Sequence, residues 1–405
     1  MRYRLPTSKA DRLDYSYDLI VALLVLLLPL SSALPNLLLA PLGILLFFKY
    51  NRNKVNYKHI SLFLITIVYL IILALFKFTL FNEMEFYSRL LILLLLVLII
   101  PQVSREKLII KALITGVFLA ILLACFNILR SQGFELSFGS FGNTAAVNEL
   151  LRIERPYFGF FLAITVFFLL KENNLLSYVL AGVATIFCAL IAARLSLGLI
   201  VLLWGIKGYQ LLDVVKKLRI PILLGAAVLT GVLLFNNDNL RDRFKIGDSI
   251  QQSVDRALDY EPRYIIWPCT FSILETTKDV LIGLEGNKQI ENRLTACYAD
   301  EITGNDSKKT YYLSEKFNPH NQFLHLLDLA GLGGILLLLA SFLQVFLSAS
   351  LSGDKKLILL LFMLFFLVEA VLFRQLGCYF TGLGLGYLAC NQSKNHKSFQ
   401  ATEAL

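Results

Sequence analysis

The sequence predicts an all-α polytopic membrane protein with about twelve transmembrane helices and one long extramembrane loop between the ninth and the tenth. Three observations predict it. The 405-residue chain is 57% hydrophobic with a mean hydropathy of +0.67, above the roughly half-apolar composition of soluble domains. Runs such as 90–100 and 357–368 carry no charge at all. Lysines and arginines concentrate in alternate connections, as they do when one side of a bilayer retains them.

Apolar stretches at 17–33, 35–48, 60–80, 86–101, 108–130, 154–171, 174–192, 195–209, 219–236, 320–349, 357–374 and 376–390 are the candidate spans. A bilayer core needs about 20 helical residues, so 35–48 and 376–390 are short. Twelve spans put both termini on one side. The N-terminus carries Arg2, Arg4, Lys9 and Arg12. Lys49, Arg52, Lys54 and Lys58 follow the second helix, and Arg105 and Lys107 the fourth. Lys207, Lys216, Lys217 and Arg219 follow the eighth, and Lys355 and Lys356 the tenth. All fall on the N-terminal side, which the positive-inside rule makes cytoplasmic. The opposite loop at 81–87 has Glu83 and Glu85 and no lysine or arginine. The net charge of +9 therefore belongs to retained loops, and nucleic acid is not an expected partner. Residues 1–17 are polar and charged, so no cleavable signal peptide is expected.

This gives helices one to nine over 1–236, an external loop over 237–319, helices ten to twelve over 320–390 and a cytoplasmic tail over 391–405. A loop that long is usually functional. Within it, Glu261-Pro262-Arg263 reads as a helix start, and Tyr264, Trp267, Phe271 and Leu274 recur at helical spacing. That pattern predicts a helix on the membrane surface with Trp267 at the interface, although Pro268 opposes a regular one. Residues 283–316, rich in Gly, Asn, Asp, Lys and Thr, read as irregular. Cys269 and Cys297 share the external, oxidising side, where pairing is open to them; Cys125, Cys188, Cys378 and Cys390 sit in apolar stretches as packing residues.

Polar residues at a membrane boundary need a reason, because an unpaired buried polar group is costly. The run Asn318-Pro319-His320-Asn321-Gln322 opens the tenth helix, with Pro319 suited to its first turn. His320 and His325, five residues apart on such a helix, would point roughly 140° from each other. Arg194 lies between two apolar runs at the external end of the seventh and eighth helices. Arg152 and Arg155 precede the sixth, Arg263 lies in the loop, and Arg374 ends the eleventh, where Glu369 is a candidate ion-pair partner. Arginine forks grip phosphate bidentately, and a histidine takes a proton from a hydroxyl near neutral pH. Sugar transfer from a lipid pyrophosphate needs those two functions. No Asp-x-Asp motif occurs, and the nearest external acidic pair is Asp259 and Glu261. Arginine would then supply the charge that a metal supplies elsewhere, and neither metal nor cofactor is expected.

From about Arg152 onward the chain resembles the O-antigen ligase and polymerase superfamily of bacterial integral-membrane glycosyltransferases. The resemblance rests on Arg155-Pro156-Tyr157-Phe158-Gly159, Ala193-Arg194-Leu195-Ser196, Arg263-Tyr264-Ile265-Ile266-Trp267, Pro319-His320-Asn321-Gln322-Phe323-Leu324 and the segment 369–377. Gly283-Leu284-Glu285-Gly286 departs from the Gly-x-Gly turn common in relatives. The resemblance implies a metal-independent fold of the polytopic glycosyltransferase class. It implies His320 as the essential histidine, with Arg194 and Arg263 as the essential arginines. Arg152, Arg155, Asn321 and Arg374 are further candidate substrate contacts. The implied donor is a polysaccharide on undecaprenyl pyrophosphate, and the implied acceptor is lipid A–core or another lipid-linked glycan. The implied location is the inner membrane, among membrane lipids, with the site facing the periplasm. A ligase is expected first, a polymerase of the same superfamily second, and a lipid-linked glycan flippase or other transporter third.

Overall fold

A computed structural model describes residues 9–132, 144–211, 249, 251–252 and 261–391. The expected ninth helix at 219–236, the charges at Lys216, Lys217 and Arg219, the loop stretch containing Asp259 and the tail beyond 391 lie outside the described residues. Among the described residues the protein is helical, and its one extended pairing is a single bridge between Val55 and Cys390. Three helices are long and apolar enough to cross a membrane: Met84–Gln102, Glu106–Asn127 and Gln322–Leu347. Leu34–Lys49, Ser61–Phe76 and Leu175–Leu190 are apolar but shorter. Large apolar side chains such as Phe47, Phe76 and Leu175 are exposed, as a lipid-covered surface allows. This is a helical membrane protein.

The chain divides into two compact units. One comprises Met1–Val21, Leu37–Arg105 and Arg263–Leu405; the other comprises Ala22–Asn36 and Glu106–Pro262.

In the first unit, helix Met84–Ile99 packs along helix Gln375–Ala389. Glycine makes the approach possible: a Cβ at Gly382 would lie 2.9 Å from the Leu93 carbonyl oxygen, and one at Gly386 2.7 Å from the Ile100 Cβ. Two small residues four apart on one face let membrane helices meet at backbone distance. Helix Gln322–Leu347 is broken at Gly331 (φ 64°, ψ −163°), where a Cβ would strike the Leu281 carbonyl at 2.3 Å. Only glycine tolerates both the left-handed φ and that contact. The carbonyls at the break are satisfied from outside the helix. Tyr69 Oη donates to Ala330 O at 3.1 Å, Lys77 Nζ to Leu329 O at 2.9 Å, and Leu284 N to Asp328 O at 2.6 Å. Side chains that re-satisfy freed carbonyls are what makes a broken helix tolerable in a bilayer.

Three sequence expectations change here. Residues 283–316 are not irregular: they contain helices Asn287–Glu301 and Asp306–Glu315, preceded by Thr277–Ile282. The polar residues that read as loop are caps instead. Thr276 and Asp279 form a capping box, and Asn305 accepts from Lys308 N at 2.9 Å. Ile290, Leu294 and Tyr298, four apart, form the buried stripe of the longer helix. Pro268 does not prevent a helix, because Arg263–Ser272 runs through it. The stretch 357–374 is not one helix. It ends at Phe366, turns through a 3-10 segment Val371–Phe373 and restarts at Gln375. Side chains from outside also hold the turn: Asn321 Nδ2 donates to Leu367 O at 2.9 Å, and Gln322 Oε1 accepts from Leu372 N at 2.6 Å.

A Cys269–Cys297 disulfide joins helix Arg263–Ser272 to helix Asn287–Glu301. Its 28-residue separation implies a stabilisation of about 3–4 kcal/mol from loop closure. The double variant Cys269→Ser/Cys297→Ser is therefore expected to unfold at a clearly lower temperature than the parent in detergent. Reductant should lower the parent's midpoint and leave the variant's unmoved. Equal midpoints would show that the bond contributes nothing to the loop.

Candidate functional site

The site in the first unit is built around His320. It does not lie in the helix, contrary to the sequence expectation. Asn321, not Pro319, begins it: Asn321 Oδ1 accepts from Phe323 N at 2.9 Å and Leu324 N at 3.1 Å, as an N-cap does. His320 sits before that cap with φ +45°, a region that side-chain-bearing residues rarely occupy and that collects at functional sites. Two contacts hold it there. Asn318 Oδ1 accepts the His320 N–H at 2.9 Å, and Trp267 Nε1 donates to Pro319 O at 3.1 Å. The geometric reason for separating His320 from His325 on one helix therefore does not apply. Their environments separate them instead. His325 is buried, with Nε2 2.8 Å from Asn287 Oδ1 and its ring against Phe86 and Phe373.

The broken turn after Phe366 brings Glu369 to His320. His320 Nδ1 lies 3.3 Å from Glu369 Oε2. Arg263 Nη2 lies 4.0 Å from Glu369 Oε1 and donates to Val368 O at 2.8 Å. Arg263 and Trp267 are one helical turn apart and so share a face; from it one reaches the Glu369 turn and the other the backbone beside His320. The three side chains are only partly accessible, at 27% for His320, 28% for Arg263 and 13% for Glu369. Partial burial strengthens their mutual attraction over that of a solvated group. The remaining ring nitrogen, Nε2 of His320, makes no protein hydrogen bond among the described residues. A carboxylate on Nδ1 fixes the tautomer that leaves Nε2 able to accept a proton.

Sequence reading placed Glu369 beside Arg374, but its partners are His320 and Arg263. The signal that would have found it is an acidic residue inside an apolar stretch, which is functional by default. Arg374 caps helix Gln375–Ala389, with its guanidinium 5.7 Å from the Phe373 ring. Both polar ends of Asn321 are engaged within the protein.

Arg152, Arg155 and Arg194 belong to the second unit. Arg194 begins helix Arg194–Leu211 after a tight turn through Ala192 (φ 48°). Its guanidinium is half exposed and lies 3.5 Å from Glu261 Oε2. Helix Arg155–Lys171 supports that turn at Gly159, where a Cβ would lie 2.6 Å from both Ala193 Cβ and Ser196 Oγ. Arg155 is the first residue of its helix and donates its N–H to Asn148 Oδ1 at 2.7 Å; Arg152 has φ 59°. A cation at a helix start is disfavoured by the helix dipole unless an anion accompanies it.

Three polar side chains recur every third residue along helix Gln322–Leu347. Gln322, His325 and Asp328 are buried, and Gln322 Nε2, His325 Nδ1 and both Asp328 carboxylate oxygens have no hydrogen-bond partner among the described residues. No three His, Cys, Asp or Glu side chains converge as a metal cage among the described residues. Compared with known proteins, the chain matches no protein-family model and no curated protein. Its class is that of a helical membrane protein carrying a strained histidine in a His–Glu–Arg cluster.

Proposed function

We propose that the protein is a membrane glycosyltransferase of the O-antigen ligase type, moving a polysaccharide from undecaprenyl pyrophosphate to an acceptor hydroxyl. The observation that carries this reading is the His320–Glu369 contact beside Arg263, with Nε2 left for substrate. In this mechanism His320 Nε2 takes the proton from the acceptor hydroxyl as its oxygen attacks the anomeric carbon. The bond from that carbon to the pyrophosphate oxygen breaks, and the anomeric configuration inverts. Glu369 stabilises the positive ring that forms. Undecaprenyl pyrophosphate is already a good leaving anion when its charge is met, so it needs no proton. Arg263 and Arg194 meet that charge. Both face carboxylates at 3.5–4.0 Å, long contacts that a phosphate can replace with shorter bidentate ones. Arg152, Arg155 and Arg374 are further candidate donor contacts.

The proposed setting is twelve spans with both termini in the cytoplasm and the site on the periplasmic side of the inner membrane. The Cys269–Cys297 bond supports that orientation, because disulfides persist in oxidising compartments and this one lies on the Arg263 helix. The acceptor is lipid A–core for a ligase and another lipid-linked glycan for a polymerase.

A transporter is the second reading. What favours it is the broken helix at Gly331 with Asp328 buried one turn earlier, since broken helices and buried carboxylates recur at transport sites. Deleting the gene and analysing surface glycans separates these cases. A ligase leaves core without long chains while the lipid-linked polymer accumulates on the outer leaflet. A polymerase leaves one repeat per core, and a transporter leaves donor trapped on the cytoplasmic leaflet. The expected result is the first, and the third would refute enzymatic transfer.

A further inference from the structure

A chain of aromatic rings ends at His320. Tyr298 and Tyr312 have centroids 5.6 Å apart, Tyr312 and Phe317 5.0 Å, Tyr311 and Phe317 5.4 Å, and Phe317 and His320 5.7 Å. The inner end is core: Tyr298 and Tyr312 are buried. Burial, with Tyr312 and Asp328 nearby, pushes the Tyr298 hydroxyl above its ordinary range, so it stays a neutral donor, bonded to Phe317 O at 3.0 Å. The outer end is different. Tyr311 is half exposed and Phe317 partly so.

Core packing accounts for the inner rings and not for the outer pair. Lipid does not account for it either. The helix that presents Tyr311, Asp306–Glu315, carries Asp306, Lys308, Lys309 and Glu315 and is a water-facing element. The pair is also rigidly placed. The helix ends at Lys316 in a left-handed conformation (φ 49°), and Lys316 Nζ is tied to Glu291 Oε1 at 2.8 Å. That turn sets Phe317 against His320, with the Tyr311 and Tyr312 rings packed on it at 65° and 68°.

We infer that Phe317 and Tyr311, inclined at 65° to each other, form a two-walled subsite for the acceptor sugar, a pyranose ring whose apolar C–H face stacks on one wall while its edge meets the other. The inference rests on the proposed function, because it assigns the sugar beside the base to the acceptor. The chemistry selects the class of acceptor. An aromatic face attracts the slightly positive C–H edges of a saturated ring, and a pyranose in the gluco or galacto series presents several of them on one side. A ring stacked there lies beside His320, with its hydroxyls at the rim, where Nε2 can take a proton. A serine or threonine side chain offers no such face, so the subsite favours a glycan acceptor over a protein one.

The test is steady-state kinetics of the full-length protein in nanodiscs, with undecaprenyl-pyrophosphate-linked glycan as donor and rough lipopolysaccharide purified from the deletion strain as acceptor. Phe317→Leu and Tyr311→Ala are each expected to raise acceptor KM by about 3–10-fold, with donor KM unmoved and kcat changing by less than acceptor KM. Phe317→Tyr, which keeps the face, should raise acceptor KM by less than Phe317→Leu does. Tyr311→Ala alters an exposed position, so it reports even if Phe317→Leu fails to fold. An unchanged acceptor KM, a shift in donor KM instead, or an equal fall of kcat in all three variants would overturn the subsite. Normal transfer with unchanged acceptor KM overturns the subsite alone, whereas no transfer by the parent protein overturns the functional reading beneath it.

Discussion

Replacing His320 with alanine is expected to lower turnover by about 10²–10⁴-fold, the usual contribution of a positioned general base, while donor binding stays near the parent's. That range corresponds to about 2.7–5.5 kcal/mol of barrier. It follows from geometry: a backbone held at φ +45°, Nδ1 against Glu369 and Nε2 without a hydrogen bond among the described residues. Glu369→Gln is expected to fall in the same direction by less, because an amide can present the wrong group to Nδ1 and cannot balance the imidazolium. His325→Ala should act through stability instead, since its ring is buried against Phe86 and Phe373. Transfer rate and donor binding, measured for all three variants, separate these roles. Loss of donor binding in His320→Ala would make His320 a phosphate contact rather than a base.

The second large effect concerns the arginines. Arg194→Lys and Arg263→Lys should each lose about 10–100-fold in kcat/KM for the donor, since a charged hydrogen bond is worth about 1.5–3 kcal/mol and an ammonium cannot span two phosphate oxygens. Alanine should lose more, about 10²–10³-fold. The two positions differ in what else they hold. Arg263 also donates to Val368 O, so its loss loosens the Glu369 turn and should affect turnover even at saturating donor. Arg194 begins its helix and meets Glu261, so its loss should fall more on donor KM. Protein abundance in the membrane is measured alongside, because an arginine at a helix end can also affect insertion. Near-parental transfer by both lysine variants would remove the pyrophosphate clamp from the account.

Much of the helical pattern is legible in the sequence because long apolar runs have few alternatives in a bilayer. The helices at Leu34–Lys49, Met84–Ile99 and Gln375–Ala389 lie within two residues of the stretches that predict them. What escaped has physical causes. The polar helices after Gly283 escaped because Asn, Thr and Asp serve equally as loop residues and as caps, and only the buried partners of Ile290, Leu294 and Tyr298 decide between those uses. The break after Phe366 escaped because Asn321 and Gln322, 46 and 50 residues before their partners in sequence, bond the turn from outside it. Spacing along the chain carries no trace of such bonds. His320 and Arg263 were legible as residues, but not as a cluster. Glu369 is legible as an acidic residue inside an apolar stretch, but its partners His320 and Arg263 follow only from the turn that presents it.

Metal-independent glycan transfer is measured most directly with the purified parent protein in nanodiscs, supplied with undecaprenyl-pyrophosphate-linked glycan and rough lipopolysaccharide in excess chelator. Undecaprenyl pyrophosphate should be released and a glycan joined to the acceptor with inverted anomeric configuration, at a rate that added magnesium or manganese leaves unchanged. Abolition of transfer by chelator with recovery on adding metal, or retention of configuration in the product, would contradict this mechanism.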